Sequence, residues 1–266
     1  MCGRFTLRTA PDVLMAIFQI PGIPSGFGAR FNIAPTQNVL VIRAARDIAE
    51  GREAAWMRWG LIPSWAKDAS IGSRMINARG ETVSEKPAFR AAFTRRRCLI
   101  PADGFYEWQR LSTGKKQPWW IHQPNESPFA MAGLWETWQP PASAADVAQH
   151  TSEAPQSPMA CSTWTTCTIL TTEASSDVRE LHDRMPVILP PESWKLWLSP
   201  HASPGQLSEC LRPLPSGHLQ KYCVSQQVNR AGVESQDLLS PISPPEPFTE
   251  VGFGEDDLGA FRFSDF

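Results

Sequence analysis

Cys98-Leu99-Ile100-Pro101-Ala102-Asp103-Gly104-Phe105-Tyr106-Glu107-Trp108 runs from a short apolar strand into an aromatic stretch that carries one carboxylate. Burial among those rings disfavours the charged form of Glu107. Its pKa then rises toward the range where one carboxyl serves as acid and base in turn. The same spacing suits an edge-strand glutamate facing water. Downstream, Pro118 to His122 and Pro128 to Trp138 read as antiparallel strands. Upstream, Glu85 to Phe93 reads as a helix ending in Arg95-Arg96-Arg97, a run expected as a solvated helix end that complements the C-terminal dipole.

Nearer the start, Gly3 to Arg8 reads as a strand and Pro11 to Ile20 as an amphipathic helix with Val13, Leu14, Ile17 and Phe18 inward. Pro21 to Gly28 is a loop; Val39 to Arg43 and Ala54 to Trp59 are strands. The loop from Gly60 to Arg74 sets Trp65 beside Lys67, the pairing of base stacking with phosphate attraction that suits single-stranded nucleic acid. A Trp that pins the loop to the core has the same spacing. If Met75 to Thr82 is extended, Asn77 and Arg79 share one face, with Ile76 and Ala78 on the other. An amide and a guanidinium together suit a polar substrate held next to a phosphate, and equally a solvated sheet face.

Thr166 to Thr172 reads as a strand and Ser176 to Leu181 as a short helix running into His182-Asp183-Arg184-Met185-Pro186. A lone histidine is more often structural. It is followed at once by an acid, a cation and a Pro-bounded strand, an exposed junction that raises it as a proton-transfer candidate. Ser193 to Leu198 and Pro204 to Leu211 read as short helices, and Cys223 to Asn229 as a late strand. Gln139 to Ser162, rich in Pro, Ala, Ser and Gln, is expected to be a flexible insertion. A domain over 2–245 is expected to give way to an acidic, disordered tail at 246–266, whose spaced aromatics also suit a partner-binding peptide.

Composition narrows the class. The chain has 266 residues, 42% apolar, and a net charge of -2, so any nucleic-acid site is a local patch rather than the whole surface. Its 25 prolines point to many short elements, and its 11 tryptophans are expected mostly in the core. The cysteines at 2, 98, 161, 167, 210 and 223 show no tight metal spacing. No leader pattern or membrane-length apolar run is present in the sequence, so a reduced, soluble, intracellular protein is expected.

Cys2 has a distinct chemistry if Met1 is lost. One residue then carries an α-amine, titrating near ~7.7 against ~10.4 for lysine, beside a thiol. Amine and thiol together close an aldehyde into a five-membered thiazolidine, and a thiol near ~8.5 needs only a modest push toward thiolate. A cysteine that simply packs near the start is the alternative.

Met1-Cys-Gly-Arg-Phe5, Arg30-Phe-Asn-Ile-Ala-Pro35, Trp59-Gly-Leu-Ile-Pro63, Ile76-Asn-Ala-Arg-Gly-Glu-Thr82, Pro101-Ala-Asp-Gly-Phe-Tyr-Glu-Trp108 and Leu181-His-Asp-Arg-Met-Pro186 follow one another in this order. Together they resemble the SOS-response-associated peptidase (SRAP) family over roughly 240 residues, a one-domain scale. The resemblance implies a single α+β domain, rich in antiparallel strand, with a partly barrel-like core, peripheral short helices and the N-terminus in a basic cleft. It implies shielding of abasic sites in single-stranded DNA by a covalent thiazolidine crosslink through Cys2, with the family removing its own Met1. Asn77 would orient the amine or sugar, Glu107 shuttle protons and His182 assist at the sugar hydroxyl. Arg4, Arg79 and Arg184 would hold phosphates, Asn32 and Pro35 line the groove, and Trp65 wedge against a base. Met185 stands where a second arginine is common, which would weaken one phosphate contact. No metal or cofactor and no membrane are implied, and a monomer is expected. The rival classes are a cysteine peptidase or amidase acting on other substrates, and a non-covalent single-strand-binding module.

Overall fold

A computed structural model describes residues 2–45, 51–140 and 163–244. Among these the strands are β1 (Phe5–Leu7), β2 (Arg30–Ile33), β3 (Asn38–Ala44), β4 (Arg52–Trp59), β5 (Asn77–Arg79), β6 (Arg97–Ala102), β7 (Gly104–Arg110), β8 (Lys116–His122), β9 (Phe129–Trp138), β10 (Trp164–Glu173), β11 (Arg184–Pro186), β12 (Ile188–Leu189) and β13 (Gln220–Cys223). The helices are short: α1 (Pro11–Phe18), α2 (Arg90–Arg95), α3 (Ser176–Arg179), α4 (Pro191–Leu198) and α5 (Pro204–Glu209). Proline opens α1, α4 and α5, where its missing amide would have had no helical partner.

The barrel closes on β10. This strand pairs parallel with β4 at Thr166↔Arg58 and antiparallel with β9 along Trp164 to Ile169. Antiparallel β4–β3, β3–β6 and β6–β9 pairings complete a five-strand ring, with the β3–β6 seam resting on Ile42↔Leu99. Thr166 to Thr172 is buried without a break, as expected of a β-branched strand covered on both faces. β5 extends the sheet beside β10, in parallel register Ile169↔Asn77.

A second, wholly antiparallel sheet runs β13-β8-β7-β1-β2. It meets the barrel through edge-on ring pairs, Phe5 on Trp59 at 5.2 Å and Phe105 on Phe129 at 6.5 Å. The chain passes from barrel to second sheet within Cys98 to Trp108, where β6 hands over to β7 across Asp103. That carboxylate is buried and accepts from the Arg8 and Thr9 amides and the Thr9 hydroxyl, tying the crossover to the end of β1. The expected α+β, antiparallel-rich, barrel-cored architecture is therefore met.

Several local expectations change. In α1 only Leu14 and Phe18 are buried, Phe18 stacking on Trp194 of α4 at 4.7 Å; Val13 and Ile17 face outward, because one helix face meets the core and the other meets none. The helix expected from Glu85 is turns until α2 begins at Arg90. Of the three arginines after it only Arg95 is a solvated helix end. Arg96 pairs with Glu136, and Arg97 is buried, donating to the carbonyls of Phe93, Thr94, Trp197 and Ser199. The late strand ends at Cys223, and Gln226–Asn229 is a 3-10 turn. The 141–162 part of the expected insertion, Cys161 and the tail from 245 lie outside the described residues.

Candidate active site

Cys2, Asn77 and Glu107 come from three separated motifs and meet at the start of β1. Antiparallel pairing of β1 with β7, Phe5↔Phe105, continues through the Tyr106 amide donating to the Arg4 carbonyl at 3.0 Å. Carried on at the same register, the ladder sets Glu107 across from Gly3, next to Cys2. Asn77, at the head of β5, donates from Nδ2 to the Cys2 carbonyl at 2.8 Å. Its Oδ1 is buried and has no hydrogen-bond partner among the described residues. The amide thus holds the cysteine backbone with one end and keeps an acceptor at the other.

Glu107 is buried, and burial pushes its pKa up to about 7, with the negative charge of Asp183 adding to the rise. The carboxyl is therefore divided between acid and base near neutral pH, and the edge-strand alternative is excluded. The Cys2 thiol departs from expectation. It is fully buried, and burial followed by the Glu107 charge pushes it well above the usual thiol range. It also points at the Arg4 carbonyl oxygen, 3.7 Å away. The sulfur is held as a neutral thiol rather than poised as thiolate.

His182 is half-buried, and its pKa is lowered chiefly by burial, with the positive charges of Arg184 and Lys116 acting in the same sense. Its Nδ1 lies 2.9 Å from the Arg184 amide and 2.8 Å from an Asp183 carboxylate oxygen. These contacts demand opposite protonation of Nδ1. The amide contact prevails, since the Asp183 side chain is 86% exposed and its attraction is weakened by solvent. Neutral His182 then accepts at Nδ1 and carries its proton on Nε2.

The expected phosphate ligands divide. Arg79 is exposed at the end of β5, on the Asn77 face, with Ala78 buried behind it as strand alternation requires. Arg4 is half-buried, donating to Asn32 Oδ1 at 3.0 Å and the Val228 carbonyl at 2.6 Å. Arg184 makes a bidentate pair with Glu81 at 2.6 and 2.8 Å and donates to the Thr171 carbonyl at 2.8 Å. Glu81 is held below the usual carboxylate range, first by hydrogen bonding to Arg184. Met185 is fully buried and its sulfur accepts from the Ser175 amide, so β-strand alternation turns it away from any phosphate.

Asn32 does not line a groove. It is fully buried, and its Nδ2 reaches the carbonyls of Val228, Arg230 and Val233 at 3.0 to 3.2 Å, so it clamps the C-terminal segment onto β2. Replacing it with alanine takes the donor from the buried Val233 carbonyl and the Oδ1 acceptor from Arg4, while the Val228 and Arg230 carbonyls keep the Arg4 guanidinium and the Val233 amide. Asn32→Ala is expected to lower unfolding stability by about 2 kcal/mol, measured by urea denaturation, because buried polar groups left unpaired carry the full desolvation penalty. Pro35 is half-buried in the turn after β2.

Trp65 is 61% exposed. Its loop is pinned by other residues: Ile62, Ala66 and Trp138 pack together, the Ile62 amide donates to Thr166 Oγ1 at 2.9 Å, and Trp138 Nε1 donates to the Ala66 carbonyl at 2.7 Å. Gly60, at φ +128°, lets the loop base approach Gly72, whose carbonyl oxygen would lie 2.6 Å from an added Cβ. The core-pin alternative for Trp65 is excluded. Two further residues, left without a role by the sequence, hold the surrounding elements. Glu81 follows Arg79 closely in the chain but pairs with Arg184, 103 residues on. Tyr106 donates from its hydroxyl to the Phe31 carbonyl at 2.8 Å, locking β7 to β2.

Comparison with known proteins shows the family and the fold. The family model described as SOS response associated peptidase (SRAP) matches residues 1–231. "Abasic site processing protein YoaM" of Bacillus subtilis is 43% identical over 242 residues, covering 90% of this chain and 97% of that protein. "Abasic site processing protein YedK" of Escherichia coli is 28% identical, covering 91% of this chain and 100% of that protein. A solved structure from Bacteroides thetaiotaomicron, 22% identical, superposes with a TM-score of 0.70 over 90% of this chain and 100% of its own, which supports the fold. From its six ordered motifs, its barrel and this match across most of its length, the chain belongs to the SOS response associated peptidase (SRAP) family.

Proposed function

We propose that this protein captures abasic sites in single-stranded DNA as a thiazolidine on Cys2, once Met1 has been removed. The observation that carries the reading is the meeting of Cys2, Asn77 and Glu107, a potential aminothiol beside a carboxyl that titrates near neutrality. The names of relatives such as YoaM supply the lesion. The ring-opened abasic sugar presents an aldehyde. The Cys2 amine, positioned through the Asn77 bond to its carbonyl, adds to the aldehyde carbon and forms the C–N bond. Glu107 in its acid form protonates the departing oxygen, which leaves as water and gives the protonated imine. Glu107, now carboxylate, takes the proton of the neutral thiol as sulfur bonds to the imine carbon; the nitrogen keeps the proton it already holds and Glu107 ends as the acid it began. One water is lost and nothing is oxidised or reduced. His182, with its proton on Nε2, donates toward the sugar hydroxyl.

The test is intact mass and a denaturing gel after incubation with a single-stranded oligonucleotide bearing one abasic site. An adduct equal to Met1-less protein plus DNA minus one water, absent in Cys2→Ala, is the expected result. No adduct from protein shown to lack Met1 would discard this reading in favour of peptide hydrolysis or non-covalent binding.

The exposed ring of Trp65 supports a base-stacking role. Trp65→Ala is expected to weaken binding to abasic single strands by about 5- to 150-fold, the equivalent of one lost stack of ~1–3 kcal/mol. Its melting temperature should stay at the wild-type value, since the loop is held by Ile62 and Ala66; fluorescence anisotropy beside a thermal melt reads both.

A further inference from the structure

The β7–β8 hairpin carries a cluster of cations that the capture chemistry does not use. β7 leaves the site at Glu107 and continues to Arg110, about 10 Å along the strand at ~3.3 Å per residue. There Arg110 stands directly across from Lys116, at the register Arg110↔Lys116. Like charges directly opposed on neighbouring strands repel and destabilise the pair. The hairpin nevertheless bears a third cation, Lys115, in the tight turn closed by the Leu111 amide to the Lys115 carbonyl and by Gly114 at φ +78°. All three side chains are exposed, and no carboxylate pairs with them among the described residues. Such an arrangement is relieved by an anionic partner.

A strand bound at the site would run past it in two directions. Along β10 the Trp65 loop is tied at Thr166, Asn77 lies opposite Ile169, and Arg184 lies opposite Glu173. Trp65 therefore flanks the site at one end and the His182–Arg184 segment at the other. One unbroken strand joins Glu107 to Arg110, so the three cations lie beyond the site rather than within it. We propose that Arg110, Lys115 and Lys116 form a second phosphate-binding arm, which grips the single strand on one flank of the lesion and lengthens the DNA footprint. The proposal rests on the single-stranded DNA reading of the site.

The experiment is the salt dependence of non-covalent binding, measured by anisotropy with Cys2→Ala protein to block capture. It is run with and without Arg110→Ser, Lys115→Ser and Lys116→Ser together. Three oligonucleotides are used, with the abasic site central or with either flank removed. Neutralising three phosphate contacts should lower the slope of log affinity against log salt by about 2, at roughly 0.7 per phosphate on a single strand. Removing one flank, and only one, should lower the slope of the parent protein by a similar amount and leave the triple variant unchanged. An unaltered slope, or equal sensitivity of both proteins to both truncations, overturns the arm. The triple variant should melt at or above its parent, because a repelling pair has been removed; a lower melting temperature would assign the cations to structure and also overturn it. Adduct formation at saturating DNA, read separately with Cys2 intact, should reach the same endpoint with and without the arm. Failure of wild type to form any adduct sinks the capture reading without altering the slope result.

Discussion

Glu107→Gln should slow thiazolidine formation by about 10²- to 10⁴-fold, the usual contribution of a positioned acid–base group, while leaving non-covalent DNA binding near wild type. Glutamine keeps the shape but cannot give a proton to the departing oxygen or take one from the neutral Cys2 thiol. Single-turnover gels at saturating DNA measure this directly. A rate within a few-fold of wild type would remove Glu107 from the mechanism. The same substitution has a signed effect on stability. The folded pKa of about 7 lies above the ordinary 4.5, so the native state holds this proton more tightly than the unfolded chain. Its stabilising contribution is complete below pH 4.5, falls as pH rises toward 7, and is flat above. The variant lacks this loss. Its stability should therefore gain on wild type across that window, by on the order of 3 kcal/mol in full. Melts at pH 4 and pH 8 test it; parallel curves would mean that Glu107 titrates as an exposed carboxylate does.

Gly104→Ala should be strongly destabilising. Gly104 opens β7 at the crossover from the barrel, and a Cβ there would lie 2.4 Å from Trp120 Nε1 and 2.7 Å from the Ile121 carbonyl oxygen. Trp120 cannot step aside easily, being buried, stacked on His122 at 4.3 Å and bonded to Thr6 Oγ1 at 3.3 Å. Overpacking of this kind costs about 3 kcal/mol, which lowers the melting temperature of a domain this size by roughly 6–12 °C. Because Gly104 faces Thr6 in the β1–β7 ladder, the shift also moves Cys2 relative to Glu107, so capture should slow in the fraction that remains folded. Gly22→Ala is the control: nothing lies within 4 Å of its added Cβ, and its melt should match wild type. Equal melts for the two variants would show that β7 and β8 separate without penalty.

Much of this protein was legible in its sequence for identifiable reasons. Period-two alternation placed Asn77 and Arg79 on one strand face, and β-branched runs marked the barrel strands, because these signals depend only on neighbours in the chain. Glu107 was singled out as a lone carboxylate in an aromatic strand, although Tyr106 and Trp108 alternate to the other sheet face and pack with Trp120. The potential chemistry of Cys2 follows from its position alone. Tertiary structure decided what depended on distant partners. Asn32, Arg97 and Met185 look like surface or ligand positions by type. Asn32 and Arg97 are buried because carbonyls at 228–233 and at 197–199 come to meet them, and Met185 because strand alternation in β11 turns it inward. Arg184 is engaged by Glu81, and Trp65 is exposed, because pairing along β10 brings Glu81 beside one and lets Ile62 and Ala66 anchor the loop of the other. Local patterning determined the strands and the candidate residues; tertiary pairing determined which of those residues face one another, since contacts between segments a hundred residues apart leave no periodic trace in the chain.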